Sequence, residues 1–208
     1  MIVVAAPSCR SARVASGPQI VQPGAPGQPT RVITADTASD LSGVQYIDAD
    51  IKFMQGMIGH HTQAVEMVAL IPARTGHDDL RLLGKRIDVS QADEIKMMQH
   101  WLEVRGQRVP DQNAMHMHGA TLMPGMLTPD EMSRLGAAKG AEFDRLFLEG
   151  MIKHHEGALT MVKELFATPG AGQDVEVFSF ASDVDADQRM EIDRMGAMLD
   201  AILKELKK

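Results

Sequence analysis

Cysteine is all but missing from this chain of 208 residues: Cys9 stands alone, so no internal disulfide can form and no thiolate metal cluster can be built in the body of the protein. Aromatics are scarce too, with one Trp, one Tyr and six Phe, so other side chains must fill most of the core. No apolar run approaches the ~20 residues that a membrane-crossing helix needs. Basic residues are outnumbered, 21 Lys and Arg against 28 Asp and Glu, and the net charge of −7 lacks the basic surplus of a nucleic-acid binder.

What the chain has in excess is methionine, 16 residues of it. Methionine is a flexible, polarizable gap-filler, but its thioether is also a soft ligand that needs no deprotonation. If a soft metal is bound here, Met and His must bind it. Composition alone does not separate the two uses.

The arrangement of these residues does more. Residues 53–68, FMQGMIGHHTQAVEMV, return as residues 147–162, FLEGMIKHHEGALTMV, at a constant offset of 94, and each copy has an Asp three residues before its Phe, Asp50 and Asp144. At 100° per residue, Phe53, Met57, His60, His61, Ala64, Met67 and Val68 share one helical face, as do Phe147, Met151, His154, His155, Ala158, Met161 and Val162. Both histidine pairs therefore point into a core. Met57 lies one turn from His61, and Met151 one turn from His155, so a thioether and an imidazole of one helix can reach the same point.

Read in order, residues 1–46 are rich in Pro, Gly, Ser and Ala and read as a signal remnant and disordered tether, with Cys9 as the acylated residue of a lipoprotein signal. Helices are expected over about 48–71, with Asp48 as N-cap and Pro72 as the stop, and over 78–105, ended by Gly106. A Met- and His-rich connection occupies 107–128, and Thr128, Pro129 and Glu131 then form a capping box. A short helix, a break, a third long helix over about 141–167 and a last one over about 174–207 complete the chain. Gln91, Glu94, Ile95, Met98 and Leu102 recur as Gln188, Glu191, Ile192, Met195 and Leu199 at an offset of 97, which places a three-residue length difference in the hairpin loops. The expected fold is all-α: a four-helix bundle over 47–208 made of two repeated hairpins, 47–106 and 129–208.

The candidate metal ligands are His60, His61, His154 and His155 with Met57, Met67, Met151 and Met161. Asp88, Gln91, Glu94, Asp185, Gln188 and Glu191 are expected beside them, mainly orienting the imidazoles, with Glu94 and Glu191 able to ligate directly. Met115, His116, Met117, His118, Met123 and Met126 form a separate cluster in the connection, expected to be an exposed capture site for the same metal. Thioether with imidazole favours Cu(I), and Ag(I) with it, over zinc.

The doubled segment resembles the hallmark D-x-x-F-x-x-x-M-I-x-H-H-x-x-A-x-x-M of the family called domain of unknown function 305. Asp50, Phe53, Met57, Ile58, His60, His61, Ala64 and Met67 match it, and again Asp144, Phe147, Met151, Ile152, His154, His155, Ala158 and Met161. The resemblance implies a ferritin-like four-helix bundle, frequently exported, with copper or silver bound in some members. The expected function is an extracytoplasmic Cu(I)- and silver-binding protein for sequestration, trafficking or resistance, exchanging metal with a copper transporter or chaperone and without turnover. The alternative is a ferritin-like di-metal oxidase or metal oxidoreductase using the same histidines with Glu94 and Glu191, although the Glu-x-x-His motif of di-iron proteins is absent.

Overall fold

The structure, a computed structural model, describes residues 19–22, 29–39, 45–111 and 122–206. The chain divides into two compact units, Met1–Gly43 and Val44–Lys208. In the first, within the stretch read as a tether, β1 (Ile20–Gln22) pairs antiparallel with β2 (Arg31–Ile33), setting Ile20 against Ile33 and Val21 against Val32, and a one-turn helix α1 (Ala35–Ser39) follows. Opposed β-branched side chains are the local reason for this hairpin, since they favour extended backbone. Cys9 lies outside the described residues.

The second unit is a four-helix bundle. Helix α2 (Asp48–Ala69) runs through a 3₁₀ turn (Ile71–Ala73) into α3 (Asp78–Val104), and the short α4 (Pro129–Ala137) leads to α5 (Gly140–Ala167) and α6 (Val175–Glu205). Pro72 stops α2 because its ring and missing N–H cannot continue the helical ladder. The N-cap of α2 is Ile47 rather than Asp48: the Asp50 carboxylate accepts from the Ile47 amide at 2.8 Å and so supplies the missing partner from inside the first turn. Thr128 caps α4, accepting from the Glu131 amide at 3.2 Å while Glu131 accepts from the Thr128 amide at 2.7 Å.

The three extra residues of the second half do not lengthen its loop, contrary to the expectation from the two offsets. Helix α5 runs four residues beyond the counterpart of Ala69, and the connection to α6 is one residue shorter than that between α2 and α3. Nothing in residues 163–167 breaks a helix, and Pro169 stands far enough on to allow the extra turn.

The two hairpins, α2 with α3 and α5 with α6, meet along α2 and α5, which run antiparallel. At one end the Gly172 amide donates to Asp50 at 2.7 Å, and at the other His77 meets Asp144 at 2.6 Å. Two apolar clusters fill the interior, and each draws on all four long helices. One contains Phe53, Met57, Ile95, Trp101, Met161 and Phe180; the other contains Met67, Leu80, Ile87, Phe147, Met151 and Met195. Between them every long helix turns polar at the same height, at His60 and His61, Gln91 and Glu94, His154 and His155, and Gln188 and Glu191.

Candidate metal centre

The polar layer is built from the centre of the motif. His60, His61, His154 and His155 are all completely buried, and the rings of His60 and His154 stack across the α2–α5 seam with centroids 3.8 Å apart. The layer is closed on one side by α3 and α6. His61 Nε2 lies 2.6 Å from Glu94 Oε2, and His155 Nε2 lies 2.7 Å from Glu191 Oε2, two bonds related by the repeat. Ser90 donates to the other Glu94 oxygen at 3.2 Å.

His60 and His154 have backbone partners instead. His60 Nε2 donates to the Pro124 carbonyl at 3.0 Å, and His154 Nε2 donates to the carbonyl of His60 at 2.9 Å. Burial pushes the His60 imidazole down to about 3, with neighbouring His61 pushing the same way against the opposing Pro124 bond. Burial likewise holds His154 well below the usual histidine range, with His60 and His155 adding to it. Both rings are neutral at pH 7.

The tautomers follow from these partners. Carbonyls only accept, so in neutral His60 and His154 Nε2 carries the proton and Nδ1 carries a bare lone pair, while in His61 and His155 it is Nε2 that faces the carboxylate. Among the described residues, each of the four Nδ1 atoms is buried without a partner, and so are Oε1 of Gln91 and Oε1 of Gln188. Six buried polar atoms in one layer lack a partner among the described residues, an arrangement that costs free energy unless an ion or a further polar group supplies the missing contact. An imidazole whose Nε2–H is held by a carboxylate is also the usual form of a metal-ligating histidine with its outer partner.

The predicted thioethers flank this layer: Met57, Met67 and Met151 are completely buried and Met161 is 9% exposed. Among the described residues, no three His, Cys, Asp or Glu side chains stand close enough together to hold one ion. The four imidazoles thus do not converge on a single point, and an ion held by one or two of them would have to draw its remaining ligands from thioethers or carbonyl oxygens. Asp88 and Asp185, expected beside the imidazoles, are elsewhere. Asp88 is exposed, and Asp185 is paired with Arg189 at 2.8 Å. Ile87 and Gln91, one turn apart, set the buried stripe of α3 and leave Asp88 turned off it.

Sequence reasoning missed the strap that closes the seam between α2 and α5. Gln63 donates to the Leu127 carbonyl at 2.9 Å and accepts from the Leu127 amide at 2.7 Å. Its counterpart in the second repeat is Gly157, where a Cβ would lie 2.0 Å from the Pro124 oxygen. The one repeat unit thus grips the strap and the other makes room for it. The Gln63/Gly157 mismatch inside otherwise matching motifs was the available signal. Met123 and Met126 belong to this strap and are not exposed: Met126 is 4% exposed and Met123 packs partly buried against the first cluster. Met115, His116, Met117 and His118 lie outside the described residues.

On the α3–α6 face the layer approaches solvent, because the Glu94 and Glu191 side chains are 20% and 23% exposed. Asp187 sits beside them, its carboxyl held above the usual range by burial and by the negative charges of Glu94, Asp183 and Glu191. The outer approach to His61 and His155 is therefore acidic.

No curated protein is significantly similar to the chain. Similar solved structures include a DUF305 protein from Streptomyces coelicolor described as secreted, at 32% identity over 74% of this chain and 93% of that one, with a TM-score of 0.64. A DUF305 fragment from Deinococcus radiodurans is 29% identical over 75% of this chain and 98% of that one, with a TM-score of 0.63. CopM in its Cu(II)-bound form is 29% identical over 73% of this chain and 96% of that one, with a TM-score of 0.60; its Cu(I)-bound and Ag-bound forms each match at 26% identity with a TM-score of 0.57. Residues 50–199, which contain both copies of the motif and all four inward histidines, match the family profile described as Domain of unknown function (DUF305), and the chain belongs to that family.

Proposed function

We propose that this protein binds Cu(I), and Ag(I) by the same chemistry, in the histidine–methionine layer of its bundle, and serves metal sequestration or trafficking without turnover. The observation that carries this reading is the set of four buried Nδ1 atoms without a partner among the described residues, two of them on imidazoles held by carboxylates. Met57 and Met151, one turn from His61 and His155, supply the soft donors that favour Cu(I). CopM, a relative by structure and sequence, has been solved with copper and with silver.

The bonds that Glu94 and Glu191 make to Nε2 count against the di-metal oxidase alternative, because a carboxylate bridging two ions would have to give them up. Location outside the cytoplasm is supported by the relative described as secreted, and the sequence around Cys9 supports a lipid anchor. A copper transporter or chaperone would be the exchange partner. The strap methionines are packed, so a second, weaker capture site rests on Met115, His116, Met117 and His118.

The test is a chelator-competed Cu(I) titration under reducing conditions, followed by X-ray absorption of the loaded protein. Mixed sulfur and nitrogen ligation is expected, and His61→Ala with His155→Ala should remove most of the tight binding while helicity persists. A double variant that binds Cu(I) as tightly as the parent would mean that the layer is not the site.

A further inference from the structure

The internal repeat shows what the outer groove of each hairpin is shaped to hold. In the second hairpin, Phe166 at the end of α5 and Phe178 on α6 meet edge to face with ring centroids 5.7 Å apart. At offsets of 94 and 97 their counterparts in the first hairpin are Pro72 and Arg81, and the counterpart of Ala181 is Gly84. Both rings are missing there. In their place a hollow of about 320 Å³ lies between the end of α2 and the start of α3, with buried Val68, Ile71 and Gly84 at its floor and exposed Pro72, Arg81 and Lys85 at its rim. Beside it on α3, Leu82 and Val89 are 54% and 55% exposed, where the second hairpin has Ser179 and Ala186.

The second hairpin carries the complementary relief. Phe178 is 56% exposed and Val175, one turn before it, is 62% exposed, so much of a phenyl ring faces solvent beside an aliphatic neighbour. Charge follows the same division. From residue 174 to 188, α6 has five acidic residues and no Lys or Arg, whereas α3 sets Arg81, Lys85 and Arg86 where α6 has Phe178, Ser182 and Asp183. Asp88 is the one carboxylate in the lining of the hollow. A chain of net charge −7 thus keeps a group of cations around its apolar hollow and a run of carboxylates around its exposed ring. An aromatic side chain seated in an apolar pocket, with opposite charges meeting at the rim, is the anatomy of a protein contact.

We propose that the hollow is the docking site for a second copy of this chain, which seats Phe178 and Val175 over Val68, Ile71 and Gly84 and sets the acidic stretch of its α6 against Arg81 and Lys85. One chain carries the ring, the hollow and both signs of charge. Contact between two different patches closes a dimer when the copies make it reciprocally. The apolar ground is small, so the pairing is weak and depends on protein concentration. It uses neither the histidine–methionine layer nor the strap, and so stands apart from metal binding.

The experiment is sedimentation velocity of the full chain from micromolar to near-millimolar protein, with a chelator present so that no metal links the copies, on the parent, Phe178→Ser, Arg81→Phe and Met190→Ser. The parent should shift from monomer toward dimer as concentration rises, and less so at high salt, which screens the rim charges. Phe178→Ser removes the ring, and Arg81→Phe fills the hollow with the side chain that the second repeat has there. Each should weaken association about tenfold or more. Arg81→Phe also gives up the Arg81 bond to the Thr75 carbonyl, so Phe178→Ser, at an exposed ring, is the deciding variant. Met190→Ser, at an exposed position three turns further along α6, should associate as the parent does. A parent that stays monomeric over the whole range, or a helical Phe178→Ser variant that associates like the parent, overturns the proposal.

Discussion

His154 donates its Nε2 proton to the backbone carbonyl of His60, its own counterpart in the repeat, while the His60 ring turns to the Pro124 carbonyl instead. The pseudo-two-fold is broken at its centre. A strictly symmetric pair would have each ring donating to the other's carbonyl, and the strap supplies the alternative acceptor.

Neutral, buried His60 and His154 make the metal-free protein sensitive to acid. Their folded-state values lie below the ordinary value of 6.5, so the unfolded chain binds protons first as pH drops. Stability should be fully present above about pH 6.5 and should fall toward pH 3, by up to about 1.4 kcal/mol per pH unit for each ring. Urea unfolding of apo-protein between pH 7 and pH 4 measures this, and His60→Phe should flatten the curve.

Glycine-to-alanine changes at two sites should act in opposite directions. At Gly157 the new methyl would meet the Pro124 oxygen at 2.0 Å, displacing the strap and costing about 1–3 kcal/mol. At Gly196, in the interior of α6 with nothing among the described residues within 4 Å of a new methyl, alanine should stabilise by about 1 kcal/mol. Thermal melts of the two variants give the comparison.

Glu94→Gln and Glu191→Gln keep the size of the side chain but remove the charge that holds His61 and His155. Each should weaken Cu(I) binding by about 10- to 100-fold with little change in helicity. Competition titration against a Cu(I) chelator reads the effect, and unchanged affinity in both variants would place the bound metal away from these imidazoles.

Asp174→Ala removes at one stroke the cap of α6, the partner of Trp101 Nε1 and one partner of Arg105. A loss of about 3 kcal/mol is expected. Fluorescence of the sole tryptophan, Trp101, should follow both the local change and the unfolding transition.

The doubled F-x-x-G-M-I-x-H-H segment was enough to read the bundle, the inward histidines and their Met neighbours, because helical periodicity is a local property. Gln91, Glu94, Gln188 and Glu191 were legible for the same reason. Asp88 and Asp185 were not, since one step of 100° separates a buried position from an exposed one at the edge of a stripe. The strap was hidden by its composition: Met123 and Met126 read as loop methionines, and only a contact 64 residues away, from Gln63, reveals that they are packed. His77 with Asp144, 67 residues apart, carries no local signal at all.

The motif glycines Gly56 and Gly150 form reciprocal notches: the terminal methyl of Met161 rests over Gly56, and that of Met67 over Gly150, at 3.5 and 3.3 Å from where a Cβ would stand. Each half of the chain lodges a methionine in the other, so neither hairpin completes its interior alone. Severed into separate polypeptides, the halves would be obliged to find one another again, and a half-length ancestor could have satisfied the same notches only by pairing with its twin.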